Sequence, residues 1–327
     1  MTDRSVDRKG PSLYFDTNIF AMIAHRGEAD RVRGVLDEID ASLTISAIHF
    51  VELVRIPTFD RHRREFCALK LMATRFEDYP IAMRRGAEVV TAFFNHRTGW
   101  VVPKATYREG MSKELARHRS LWNAISGPRG HFLEAFRFEP SYPEMMKAQL
   151  KQRMAVQREF RAALLSRKTT SYLQKPDGRK YAKCIDGSDP EMFWRADNAQ
   201  IWSQVLVLNN PPEMREFVAP YLIRPTDYLS GDHYPRFWLE DVNPDEVPRN
   251  RLESLIGFYQ LKRKIESGNA LDSAHATHAL DVDHFFTADN AFADVLSDAS
   301  QHYAKFASVH RVVRDAPSFA DQLKRIF

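Results

Sequence analysis

The chain has 327 residues, 44% hydrophobic and 28% charged, with a formal net charge of +4 and two cysteines. That length can bury at least one full core and leaves room for two domains, and no apolar run approaches the roughly 18 residues of a membrane helix. Cys67 and Cys184 stand far apart, which argues against a disulfide framework or a cysteine-based zinc site and leaves two separate buried thiols as the expectation.

The opening residues, MTDRSVDRKGPS, are polar and lack the apolar segment of a signal peptide, so the expected location is the cytoplasm. The stretch SLYFDTNIF follows. Leu13, Tyr14 and Phe15 fit a buried strand, and Asp16 places a carboxylate where that strand would continue. A lone buried carboxylate is too costly to stand without partners, so Asp16 is expected to find hydrogen bonds, a cation or the exposed end of the strand. Val32, Val35, Leu36 and Ile39 recur at helical spacing over 28–39, and LTIS returns to strand residues. Ser46 then fits the N-cap of a helix, AIHFVELVRI, that Pro57 ends.

From Pro57 to about Gly268 the pattern changes to long polar-rich helical stretches, which predicts a helical insertion over 57–268. Within it, TTSYLQKPDGRKYAKC carries a Pro-Asp-Gly turn between short aromatic and polar flanks, the signature of a hairpin. Lys168, Lys175, Arg179 and Lys180, interleaved with Tyr172 and Tyr181, could neutralise phosphates while the rings stack on unpaired bases; a solvated hairpin is the plainer reading. Arg61, Arg63 and Arg64 form a second basic group close to the Glu52 helix, whereas Phe193, Trp194 and Trp202 read as packing core. At Asn269 an α/β texture returns: NALDSAHATHAL as a helix, HFF as a strand leading to Thr-Ala-Asp, AFADVLS as a short helix and ASVHRVV as a last strand. Residues 1–56 and 269–327 therefore read as two halves of one α/β unit. Both ends are acidic and the middle is basic, as a polyanion-binding surface beside a cation site would require.

Four acids stand out by position: Asp16 closing the first strand, Glu52 inside a helix, Asp272 opening another, and Asp289 after HFFTA. Singly, each has an ordinary structural role as a hydrogen-bonded strand end, a solvent-facing side chain, a helix-dipole acid or a cap. Jointly they suit the crevice at the carboxyl ends of a parallel sheet, where several carboxylates are tolerable chiefly around a hard cation such as Mg²⁺ or Mn²⁺. His275 shares a helix face with Asp272, but His278 points roughly 120° away, so the three do not form one ligand face. Both histidines are expected to pack or hydrogen-bond locally. The His49/Glu52 spacing leaves a His/carboxylate metallohydrolase acting on a small molecule as an alternative.

These residues resemble the PIN domain nucleases. The resemblance rests on DTNIF with Asp16 and Asn18, SAIHFVEL with Glu52, LDSAHATHAL with Asp272, and DHFFTADNAF with Thr287 and Asp289, in that order. It implies a three-layer α/β/α core with a central parallel sheet, one or two divalent ions, and endonucleolytic cutting of RNA. Asp16, Glu52, Asp272 and Asp289 would be the metal-binding carboxylates, Asn18 and Thr287 would support them, and Asp283 would be structural. The large insertion departs from the family pattern. A toxin-like role with a protein inhibitor is conceivable from the resemblance, and a non-catalytic RNA-binding scaffold is the alternative from another class.

Overall fold

The computed structural model describes residues 10–54, 59–77, 79–126, 155, 189–208, 212–223, 233–263 and 269–327. The chain divides into two compact units. One comprises Met1–Asp78, Arg119–Lys151 and Gly268–Phe327; the other comprises Tyr79–His118 and Gln152–Ser267.

The first unit is α/β. In chain order it opens with β1 (Ser12–Phe15), α1 (Thr17–Arg26), α2 (Ala29–Glu38), β2 (Ser42–Ile45), α3 (Ala47–Val54), α4 (Phe59–Met72) and β3 (Arg75–Phe76). The five described strands form one parallel sheet in the order β3-β2-β1-β4-β5, where β4 is His284–Thr287 and β5 is Ser308–Arg311. β1 lies at the centre, with successive strands laid outward on one side and the C-terminal strands on the other. Its junction with β4 is therefore a topological switch point, where loops diverge and leave a crevice at the carboxyl ends.

Alternation along the strands sorts the two faces. Leu13 and Phe15 of β1, Leu43 and Ile45 of β2 and Phe286 of β4 join a core with Ile19, Phe20 and Ile23 of α1 and Val32, Val35 and Leu36 of α2. Phe15 meets the rings of Phe20, Phe286 and Phe319 at 5.9, 5.3 and 5.2 Å, so the neighbouring α1 and two segments from the far end of the chain converge on one side chain. Tyr14 and Phe285 face the other way: Tyr14 stacks on His278 and Phe285 packs edge-on against Phe292. Helices thus cover both faces, as the apolar runs of fully buried parallel strands require. Gly27, at φ 67°, closes α1 in the left-handed conformation that glycine adopts without steric cost, its N–H donating to the Ala24 carbonyl.

The sheet unit extends beyond the expected boundary at residue 56. Phe66, Leu69 and Met72 of α4 belong to the same core, and Arg75–Phe76 adds a parallel strand beside β2. A two-residue strand carries no readable periodicity, and REFCALKLMATRF therefore reads as one helical stretch. Cys67 is exposed rather than buried, because α4 turns its neighbours Phe66, Ala68 and Leu69 into the core and position 67 outward. Cys184 and the 167–184 hairpin lie outside the described residues.

The described part of the second unit is almost wholly helical. Its principal helices are α5 (Ile81–His96), α6 (Lys104–Ser126, continuing past this unit's His118 limit), α7 (Pro190–Ser203), α8 (Pro212–Val218), α9 (His233–Arg236) and α10 (Pro248–Leu261). Phe193, Trp194 and Trp202 are buried in it, as expected of packing residues. Asn250 ties three helices together: its amide donates to Glu88 Oε2 and the Arg85 carbonyl, and its Oδ1 accepts from Arg85 Nε and Trp202 Nε1.

Candidate metal centre

The carboxyl ends of β1 and β4 build the first half of the site. Asp16 follows β1, and its backbone N–H donates to the Phe286 carbonyl, continuing the ladder one residue past the strand. Its side chain is buried but not alone: Oδ2 accepts from Asn18 Nδ2 and from Thr287 Oγ1, each at 2.7 Å. Asn18 is fixed in turn, since its Oδ1 accepts from the Ala288 N–H at 3.1 Å. The two supporting residues therefore hold the same carboxylate oxygen and leave Oδ1 for the crevice.

Helices deliver the rest. Glu52 rides on α3, which follows β2, and His275 rides on α11 (Asn269–Ala276). His275 Nε2 lies 3.0 Å from Glu52 Oε2, 3.9 Å from Asp16 Oδ1 and 3.3 Å from Thr17 Oγ1. One donor atom each from Asp16, Glu52 and His275 fall within 4.8 Å of one another. Ligands held at about 2.1 Å from a common ion sit roughly 3 to 4.3 Å apart, so the set fits a divalent cation with small adjustment.

Electrostatics report the crowding. Burial raises the Asp16 pKa, and the Glu52 charge adds to it against the opposing pull of His275. Burial also disfavours charge on Glu52, yet the adjoining His275 imidazole overcomes this and holds Glu52 at about 2. Asp272, one helical turn before His275, is pushed up to about 7 by burial and then by the fields of Asp16, Asp289 and Glu52, with His275 opposing. The carboxylates of both termini thus lie in one electrostatic neighbourhood. Asp289 also caps α12 (Asn290–Ser300), its Oδ1 accepting from the Phe292 N–H at 2.9 Å.

Behind the carboxylates lies a buried polar chain. His275 Nδ1 meets Tyr14 OH at 2.8 Å, Tyr14 OH meets Ser46 Oγ at 2.8 Å, Ser46 Oγ meets His49 Nδ1 at 3.1 Å, and His49 Nε2 donates to the Phe15 carbonyl at 2.7 Å. Ser46 stands in the expected N-cap position directly before α3, and its hydroxyl joins this chain. Burial drops the His49 pKa to about 3, which keeps that ring neutral. His278 turns away from the crevice, stacking on Tyr14 and lying 3.6 Å from the buried Glu77 carboxylate.

The sequence points to Asp16, Glu52, Asp272 and Asp289 with Asn18 and Thr287 in support; Asp16, Glu52, Asn18 and Thr287 meet here, while Asp272 and Asp289 stand outside the group of three donor atoms. His275 reads in the sequence as packing or hydrogen-bonding locally, and Tyr14 and Glu77 carry no signal there. The sole signal for His275 was its place on the Asp272 face. Asp283 lies at the opposite end of the strands, where it accepts from the Ser12 N–H and hydroxyl and pins β4 to β1. Arg64 is exposed on α4, while the side chains of Arg61 and Arg63, and all of Lys168, Lys175, Arg179 and Lys180, lie outside the described part. No helix among the described residues is long and apolar enough to cross a membrane. In comparison with known proteins, no family model, no curated protein and no solved structure matches this chain.

Proposed function

We propose that the α/β unit is a PIN-like catalytic core and that the protein is a divalent-metal-dependent endoribonuclease. The observation that carries this reading is the meeting of Asp16 and Glu52 donor atoms, with His275, at the carboxyl end of a parallel sheet, inside the field that pushes Asp272 up to about 7. Such a concentration of acid is costly to maintain without a cation, and a hard divalent cation held by carboxylates suits an anionic phosphodiester. The basic excess over 55–200 favours a polyanionic substrate.

A bound divalent ion would supply acidification of a water nucleophile and stabilisation of charge developing on the phosphate and the leaving oxygen. Asp16 and Glu52 would hold it, with Asp272 and Asp289 adding negative potential at the crevice. Thr287 and Asn18 fix the Asp16 carboxylate so that one oxygen stays aimed at the crevice. The test is cleavage of labelled RNA in Mn²⁺, Mg²⁺ or EDTA by wild type and Asp16→Asn. Metal-dependent cutting by wild type alone is the expected result. RNA binding without cutting would favour a scaffold, and turnover of a small phosphomonoester with no action on RNA would favour a small-molecule hydrolase.

A further inference from the structure

We infer that His275 is a direct metal ligand through Nε2, and that the ion is a nitrogen-accepting transition cation of the Mn²⁺, Co²⁺ or Zn²⁺ kind rather than Mg²⁺. This rests on the metal-dependent reading above and goes beyond it, since a carboxylate-only site would leave His275 outside the coordination sphere.

The far end of the buried chain fixes where the protons lie. A backbone carbonyl accepts and never donates, so the 2.7 Å contact with the Phe15 oxygen places the His49 proton on Nε2. His49 Nδ1 is then an acceptor, facing the Ser46 N–H and hydroxyl, each at 3.1 Å. With the Ser46 hydroxyl donating there, its oxygen receives the Tyr14 O–H, and the Tyr14 oxygen in turn receives a proton on His275 Nδ1. Every polar atom along this path has a partner. With Nδ1 committed to Tyr14, Nε2 is the ring nitrogen that faces Asp16, Glu52 and the Thr17 hydroxyl, and so the one that can reach an ion there. An ion bound among Asp16, Glu52 and His275 takes the Nε2 lone pair in place of a proton.

A metal-bound imidazole characteristically donates its other N–H to a fixed oxygen, which sets the tautomer and ring orientation. Tyr14 meets that requirement: it is fully buried, stacked with His278 and Phe285, and joined through Ser46 and His49 to the Phe15 carbonyl of β1. Imidazole nitrogen suits borderline transition ions, whereas Mg²⁺ takes oxygen ligands and keeps much of its water. His275 is itself 1% exposed, so its position is fixed by packing before any ion arrives.

Pulsed electron paramagnetic resonance of the full chain loaded with Mn²⁺ tests this without any activity measurement. The expected result is nitrogen modulation from one imidazole, lost in His275→Asn. Mn²⁺ binding should exceed Mg²⁺ binding by a ratio that falls at least about tenfold in that variant. Tyr14→Phe, which keeps the ring and removes the hydroxyl, should retain the nitrogen signal while weakening Mn²⁺ binding about 10- to 100-fold. Bound Mn²⁺ without nitrogen modulation, or modulation that survives in His275→Asn, would overturn the ligand assignment and leave the nuclease reading standing. Failure of wild type to bind Mn²⁺ at all would overturn both.

Discussion

The Thr287 hydroxyl donates to Asp16 Oδ2 at 2.7 Å, joining two residues 271 positions apart in the chain. This bond locks the carboxyl ends of β1 and β4 together and decides which oxygen of Asp16 remains for a ligand. Thr287→Val keeps the shape and removes the donor. It should weaken Mn²⁺ binding about 10- to 100-fold, as expected for loss of a group that orients a ligand. Stability should fall by only about 1–3 kcal/mol. Calorimetric titration with the ion and thermal melting of the same sample check both figures.

Asp272 faces the combined repulsion of Asp16, Asp289 and Glu52. Asp272→Asn removes one negative charge from the crevice and should melt at a higher temperature than wild type in chelator at pH 8. Saturating Mn²⁺ should raise the wild-type melting temperature, a stabilisation of about 2.7 kcal/mol at a hundredfold excess over Kd. That increment should shrink in the variant. Equal increments in the two proteins would place Asp272 outside the ion's influence.

In the helical unit, burial pushes Asp197 up to about 6 against the hydrogen bond from Ser254. The folded protein therefore holds a proton that the unfolded chain releases near pH 4. The resulting contribution is fully present below about pH 4 and is lost as pH rises through about 6. Asp197→Asn should be near-neutral at pH 4 and stabilising by about 1–3 kcal/mol at pH 8. Chemical denaturation across that range checks the sign.

Phe15 is fully buried where Phe20, Phe286 and Phe319 meet. Phe15→Ala should cost about 3–5 kcal/mol, since the sheet and helices around it can close only part of the cavity. A loss below about 1 kcal/mol in denaturant melts would contradict the packing described.

Asp16 was legible because a charge interrupts an apolar strand, and the α/β texture at both ends was legible because strand and helix periods differ. His275 was not, because its role depends on Glu52, which approaches from 223 positions away. Tyr14 reads simply as a strand residue; nothing in its neighbours shows that its hydroxyl joins His275 to Ser46. Glu77 was hidden for a similar reason: it follows the two-residue strand β3, yet its carboxylate accepts from the Ala47 N–H at the start of α3. Local patterns identify elements, whereas the partners of a buried polar atom depend on which elements meet.

The central claim is that one divalent ion sits between groups drawn from both ends of the chain. Anomalous diffraction from crystals grown with Mn²⁺ tests it most directly. The account predicts a manganese peak within bonding distance of Asp16 and Glu52. Manganese found only elsewhere on the protein, with Asp16 and Glu52 making no contact to it, would contradict it.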